Sequence, residues 1–500
     1  MFYKEILSQK NDSEIFIAIV GAIGIDLDSI YRIVSQKLKA FDYTTQHVKV
    51  STDVIGEIFD EELMFEHENE RIEYFMDKGN DLREQFTGTI SLGIATKISS
   101  LREKSNEPNI RTAYFINSLK HPDEVQLLRK IYTHGFFLIS IYSDEDRRIK
   151  YLTETRHIQP DKARELVRRD TDESVKHGQH TADTFHLSDF FVNIDGDSDK
   201  LQNDIWRIID LIFGNPYITP TFDEYAMYMA FSSSLRSADL SRQVGAVITK
   251  DTAILSTGAN DVPKFGGGVY WPYYCEDEKK IIDFPEGRDF KRNEDSNTRT
   301  KIEIIDEIID KLPENVSKKF SKEEISALKE HLKSSRLKDI TEYGRVVHAE
   351  MDAILNCART NVSTLDTELF STTFPCHNCA KHIVASGIKR VVYIEPYPKS
   401  KALDFHKDTI QLKTIKGVSD KVSFEPFVGV GPRSFFNLFS ISLGSGYEVK
   451  RKSKDGRTIE WIPKKASVRM PLPAGSYLDR EISMVSDLQE IIKLAKNKDD

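Results

Sequence analysis

The sequence is poor in cysteine and has no long apolar run. Its four cysteines, Cys275, Cys357, Cys376 and Cys379, are spread over 500 residues. That excludes a disulfide framework, and a close pair among so few points to metal binding or catalysis. No stretch approaches the ~20 apolar residues that a bilayer crossing needs. The first residues also lack the basic and then long apolar layout of a secretory leader. No membrane association is expected, and a cytoplasmic location is. An excess of basic charge is missing too. The formal net charge of -9 argues against a protein whose main task is to grip a phosphate backbone over a broad surface, and leaves small anions to local sites. Repeats and low-complexity tracts are absent. What remains is a globular composition, long enough for two or more domains and a sizeable core.

Residues 14 to 24, EIFIAIVGAIG, form a β-branched run ending in glycines, and DLDSIYRIVSQKLKAF after it has helical spacing. RTAYFINSL (111 to 119) and GFFLISIYS (135 to 143) read as buried strands, with a helix between them. This alternation predicts a parallel α/β domain over 1–215. Thr221 and Glu224 then make a capping box that opens a new helix, so a second domain is placed at 216–440. It begins with a predicted antiparallel hairpin, RQVGAVITK and TAILSTGAN, and contains a charged insertion, 276–345, read as a lid or an interface. Residues 441–500 read as a Lys/Arg-leaning tail with one terminal helix.

TTFPCHNCAKHIVASG (372 to 387) places Cys376 and Cys379 at i and i+3 at the start of a helix. There two thiolates on one face can share a metal near the positive helix end. Upstream, VVHAEMDA supplies His348 and Glu350 at the head of another helix. One His and two Cys fill three zinc positions and leave the fourth for water, as a catalytic site requires. Glu350 is then the natural proton carrier. The bland alternative is a structural zinc knuckle, with His377 or His382 as fourth ligand, or cysteines that simply pack, as expected for Cys357.

The H-x-E and P-C-x-x-C combination is the signature of zinc nucleobase deaminases. Together with SADLSRQVGAVIT, STGANDVP, HAEMDAIL and FEPFVGVGPR, it resembles the deoxycytidylate deaminase family. More closely, it is similar to bacterial two-domain deaminases that carry a P-loop-like domain in front and deplete nucleotides in anti-phage defence. The resemblance implies a three-layer α/β/α cytidine deaminase-like domain behind a P-loop kinase-like parallel-sheet domain. It also implies Zn2+ as cofactor and deamination of dCMP, dCTP or both. It maps a sugar contact onto Asn260 and a substrate contact onto Ala349. For base and phosphate the candidates are Tyr397, which would stack, with Lys399, Ser400, Arg236 and Arg242 around the phosphate.

The first domain departs from a working P-loop. Gly21 opens GAIGIDLDS, which sets Asp26, Leu27 and Asp28 where glycine, lysine and hydroxyl belong, and Asn117 stands where a magnesium carboxylate would help. Gly21 and Gly24 can still hold an anion through backbone amides. The expectation is a degenerate nucleotide kinase-like domain that binds a nucleotide effector or partner and regulates the deaminase. An RNA or protein inhibitor and a homo-oligomer follow from the resemblance. The other classes in view are a polynucleotide deaminase, disfavoured by acidic charge and the lack of an aromatic, basic groove, and a non-catalytic sensor, disfavoured by Glu350.

Overall fold

The computed structural model describes residues 13–59, 64–102, 107–171, 178–195, 198–314, 319–397, 400–412, 420–442, 444, 447–472 and 477–496. Two compact units emerge: Met1–Glu224 with Phe427–Asp500, and Tyr225–Pro426.

In the first unit, β1 (Ile15–Gly21), β2 (Thr44–Lys49), β3 (Thr112–Asn117), β4 (Phe136–Tyr142) and β5 (Phe190–Asn193) form a sheet in the order β5-β4-β1-β3-β2. All four pairings are parallel, with Phe16 opposite Tyr114 on one side and Phe136 on the other. A two-residue strand, Gly429–Val430, adds antiparallel to β5. β1 is apolar throughout because both faces of the sheet are covered. Phe16, Ala18 and Val20 enter one core with Tyr114 and Leu138. Ile15, Ile17 and Ile19 enter the other with Phe115 and Phe137. Strand periodicity thus divides six consecutive residues, Ile15 to Val20, between two cores.

The division differs from the sequence expectation at the C-terminus. Residues 427–440, expected in the second domain, and 441–500, expected as a separate tail, both belong to the first unit. Tyr477, Leu478 and Leu488 join the core of Phe16, and the Tyr477 hydroxyl donates to Glu14 Oε2 (2.6 Å). Arg102, fully buried, pairs with both Glu14 and Glu481. Lys and Arg between 450 and 465 dominate the composition there and mask the apolar Val468, Met470, Leu472 and Tyr477, all of which are buried.

The second unit is built on β6 (Gly245–Lys250), β7 (Ala253–Ala259), β10 (Glu368–Thr373), β11 (Arg390–Glu395), β12 (Ile410–Gln411) and β13 (Val422–Pro426), in the order β12-β13-β11-β10-β6-β7. β6 and β7 form the expected hairpin and β6 pairs antiparallel with β10, while β10-β11, β11-β13 and β12-β13 are parallel. The capping box is present: Thr221 Oγ1 accepts from Glu224 N, and Glu224 Oε2 accepts from Thr221 N (2.7 Å). The insertion holds a short hairpin, β8 (Tyr273–Cys275) with β9 (Lys280–Ile282), and the helices Ser296–Asp310 and Lys322–Ser334.

Close approach of helix to sheet fixes the centre of this unit. A Cβ on Gly258 of β7 would lie 2.1 Å from Ala349 O and 2.5 Å from Ala353 N. Only glycine lets the helix Ala349–Arg359 lie this close to the strand. Ser256 Oγ donates to Ala353 O (2.8 Å), Asn356 Nδ2 to Thr257 O (2.8 Å), and Ala259 N to Asp352 Oδ2 (3.2 Å). Three polar ties along one helix hold its N-terminus in register with the sheet.

Candidate metal centre and active site

Two helix N-termini converge on one point. His348 is the N-cap of Ala349–Arg359, and Cys376, after Pro375, is the N-cap of His377–Ala385. Cys379 lies one turn further, so both sulfurs share a face. His348 Nδ1 is 3.4 Å from Cys376 Sγ and 3.3 Å from Cys379 Sγ, and all three donor atoms lie within 4.8 Å of one another. Zinc with Zn–N of about 2.0–2.1 Å and Zn–S of about 2.3 Å in a tetrahedron needs N-to-S edges of about 3.5 Å. The donor set and its spacing therefore fit Zn2+, which the protein takes as cofactor.

No fourth protein ligand completes the set among the described residues. His377 Nε2 faces Glu342 at 3.7 Å and its ring meets Phe405 edge-on. His382 Nδ1 contacts Asn378 O. The knuckle reading thus loses both its candidates, and three ligands are what a catalytic zinc uses. Cys357 packs in the core, as expected.

Glu350 is buried beside the triad, its Oε2 accepting from Cys379 Sγ at 3.4 Å. Burial, and then the negative charge of Cys376, push its carboxyl pKa up. The Cys379 S–H bond and the His348 ring hold the Cys376 thiol down at about 4. Its thiolate in turn raises His348, and Cys379 is pushed up by that same pairing and by burial.

A cavity of about 410 Å³ opens over the triad, with Glu350, Ala349, Asn260, Arg242 and Tyr397 in its wall. The Asn260 amide is held by backbone: Val244 N donates to its Oδ1 (2.7 Å), and its Nδ2 donates to Arg242 O (2.8 Å). Each end keeps one further hydrogen-bonding capacity. Arg242 lies over the Tyr397 ring, 4.9 Å from its centre, and 3.7 Å from Glu395.

Two predicted substrate residues are not in this wall, and Lys399 lies outside the described residues. Arg236 lines a different cavity, stacked 3.9 Å over Trp271 and 3.9 Å from Asp352. The cause is helical geometry: positions two apart on a helix face opposite ways, so Glu350 enters the zinc cavity while Asp352 draws Arg236 to the other side. Ser400 Oγ donates to Pro375 O (2.8 Å) and accepts from Ala402 N, fixing the loop that presents Cys376. Sequence reasoning missed Gly258 and Asp352, which position the His348 helix. The D in HAEMDA was the available signal.

In the first unit, Gly21 and Gly24 line a cavity of about 230 Å³. Gly24 has φ +89°, and a Cβ there would strike Arg148 O at 2.7 Å. Asp26 is the cap of the following helix, accepting from Ser29 N at 3.1 Å. Within this turn Ile23 N donates to Asp170 Oδ2 (2.7 Å). Lys120 Nζ bridges Asp170 Oδ1 (2.7 Å) and Gly21 O (2.6 Å). A buried carboxylate is thus hydrogen-bonded to the glycine turn.

A hairpin-led mixed sheet, two helix ends carrying His and two Cys, and a buried carboxylate outside the ligand set define a zinc-dependent hydrolytic deaminase. Residues 220–395 match the cytidine and deoxycytidylate deaminase zinc-binding region. The deoxycytidylate deaminase of Enterobacteria phage T2 is 32% identical over 175 residues, 35% of this chain and 80% of that protein. That of Saccharomyces cerevisiae is 22% identical over 298 residues, 57% of this chain and 76% of that one. The chain belongs to the deoxycytidylate deaminase family. Among solved structures, the dCMP deaminase of cyanophage S-TIM5 in complex with dCMP and dUMP aligns at 20% identity over 42% of this chain and 100% of that one, with a TM-score of 0.24.

Proposed function

We propose that the chain removes the 4-amino group of deoxycytidine nucleotides, dCMP, dCTP or both, and lowers their pool in anti-phage defence. The observation that carries this is the triangle of His348, Cys376 and Cys379 with Glu350 buried at its edge. Zinc, when bound, supplies a Lewis acid that makes a water molecule acidic near neutral pH. Glu350 would take a proton from the attacking water and deliver it to ring N3 as oxygen bonds to C4. It would then take the proton of the new C4 hydroxyl and pass it to the amino group as the C4–N bond breaks, so that water and cytosine become uracil and ammonia. Burial suits Glu350 to this task, because it raises the carboxyl's affinity for a proton that the group must first accept and then return.

Tyr397 stacks on the base, the spare capacity of the Asn260 amide meets the sugar, and Ala349 closes against the ring. The first unit serves as a degenerate nucleotide kinase-like domain. Its parallel order with β1 at the centre supports this, as does the engaged glycine turn, which speaks against ATP hydrolysis. It binds a nucleotide effector, and an RNA or protein inhibitor holds the enzyme until infection. The active form is a cytoplasmic homo-oligomer.

The deciding experiment supplies purified full-length protein with dCMP, dCTP, cytidine and a cytosine-containing single strand separately. Glu350→Ala serves as control, and zinc is assayed alongside. Deoxyuridine nucleotide formed by the wild type and lost in the variant with zinc retained is the expected result. Product from the strand alone would overturn the reading. Rapid ATP turnover would overturn the role given to the first unit.

A further inference from the structure

The cavity over the zinc triad has two walls of different origin. One belongs to the core of the unit and carries His348, Glu350 and Cys376, and the other comes from the insertion and carries Asn297, Thr298 and Lys301. We propose that Lys301 engages the phosphate of the substrate, so that the insertion decides between nucleotide and free nucleoside. This rests on the deoxycytidine-nucleotide reading above.

Two cationic side chains line the cavity, Arg242 and Lys301. Arg242 is already committed, stacked on Tyr397 and set 3.7 Å from Glu395. Lys301 donates to Lys338 O at 3.2 Å and has no carboxylate within ion-pairing distance among the described residues. An ammonium has three donors. Two remain, with a full positive charge, at the edge of a site whose substrate is an anion.

The carboxylates nearby do not compete for it. Asp239 Oδ1 accepts from Ser241 N (2.8 Å) and Arg242 N (3.1 Å). Asp289 pairs with Arg345 at 2.7 Å. Asp295 accepts from Asn297 N (3.0 Å) and from the Thr298 amide and hydroxyl, so the first amides of the helix Ser296–Asp310 are spent on its own cap. The anion is therefore met by the side chain of Lys301, not by the end of the helix. Lys301 follows Asn297 and Thr298 by four and three positions, which keeps all three on one helix face, the face that lines the cavity.

The test compares wild type, Lys301→Met and Lys301→Arg in the full-length protein, with dCMP, dCTP and deoxycytidine as substrates and with dUMP and deoxyuridine titrated by calorimetry. In Lys301→Met, KM for both nucleotides and Kd for dUMP should rise roughly 10- to 100-fold, the value of one charge-assisted hydrogen bond. Turnover of bound substrate should change little, the nucleosides should be spared, and Lys301→Arg should recover most of the loss. Equal losses for nucleotide and nucleoside, or unchanged dUMP affinity, would overturn the proposal. A wild type that deaminates no deoxycytidine nucleotide defeats the functional reading instead, and dUMP against deoxyuridine affinity still decides the role of Lys301.

Discussion

Glu350 Oε2 stands 3.4 Å from Cys379 Sγ, while the histidine two residues before it on the same helix end sets its Nδ1 3.3 Å from that sulfur. One turn of backbone thus contributes both a donor of the His/Cys/Cys group and the buried carboxylate beside it. Their separation depends on the N-cap conformation of His348, φ -68° and ψ 153°, which turns its side chain off the helical path.

Replacing Glu350 by Gln keeps the shape and the hydrogen-bonding reach but abolishes proton uptake. Deamination should fall by about 10²- to 10⁴-fold, the usual share of a general acid-base group. Metal analysis of the variant should still find zinc, because Glu350 is not one of the three donors.

Zinc affinity should increase with pH. The raised pKa values of His348 and Cys379 mean that the metal-free site holds protons that zinc must displace. Competition against a chelator at pH ~6.5 and at pH ~8.5 should show the tighter binding at the higher value. Equal affinity would mean that these two groups release no protons to the metal.

Gly258→Ala should damage both stability and catalysis. The new methyl would fall 2.1 Å from Ala349 O, and the helix must retreat from β7, carrying His348 and Glu350 with it. A cost of about 1–3 kcal/mol is expected from such overpacking, read as a lower denaturation midpoint. Activity at a temperature where the variant is fully folded should fall as well.

Arg102→Met tests the union of the C-terminal helix with the first unit. Glu14 and Glu481 would be left buried with no counter-charge, although Glu14 keeps bonds from the Tyr114 and Tyr477 hydroxyls (2.9 and 2.6 Å). Breaking such a pair costs about 3–5 kcal/mol, measured by urea unfolding of the full-length protein. An unchanged midpoint would show that the cluster contributes little to stability.

How much of this was legible beforehand depends on how far apart in sequence the cooperating residues lie. The zinc ligands and Glu350 could be read directly, because each half of the site is a local motif at a helix start: the cysteines are three positions apart, and His348 and Glu350 two. β1, β3, β4 and the β6-β7 hairpin were equally plain, since buried strands need runs of apolar residues whatever their neighbours. Chain order alone could not show which face a polar residue takes. Arg236 sits only six positions before Arg242 in sequence, yet Asp352 draws it into a different cavity; Ser400 turns inward to hold Pro375; Lys301, nearly fifty residues before His348, reaches the cavity over the triad. The terminal segment posed the same problem at larger scale, because its exposed lysines outweighed the few buried side chains that complete the core of the first sheet. Local chemistry follows from spacing along the chain, whereas the direction of a side chain and the partner of a segment are settled only when distant elements compete for the same buried space.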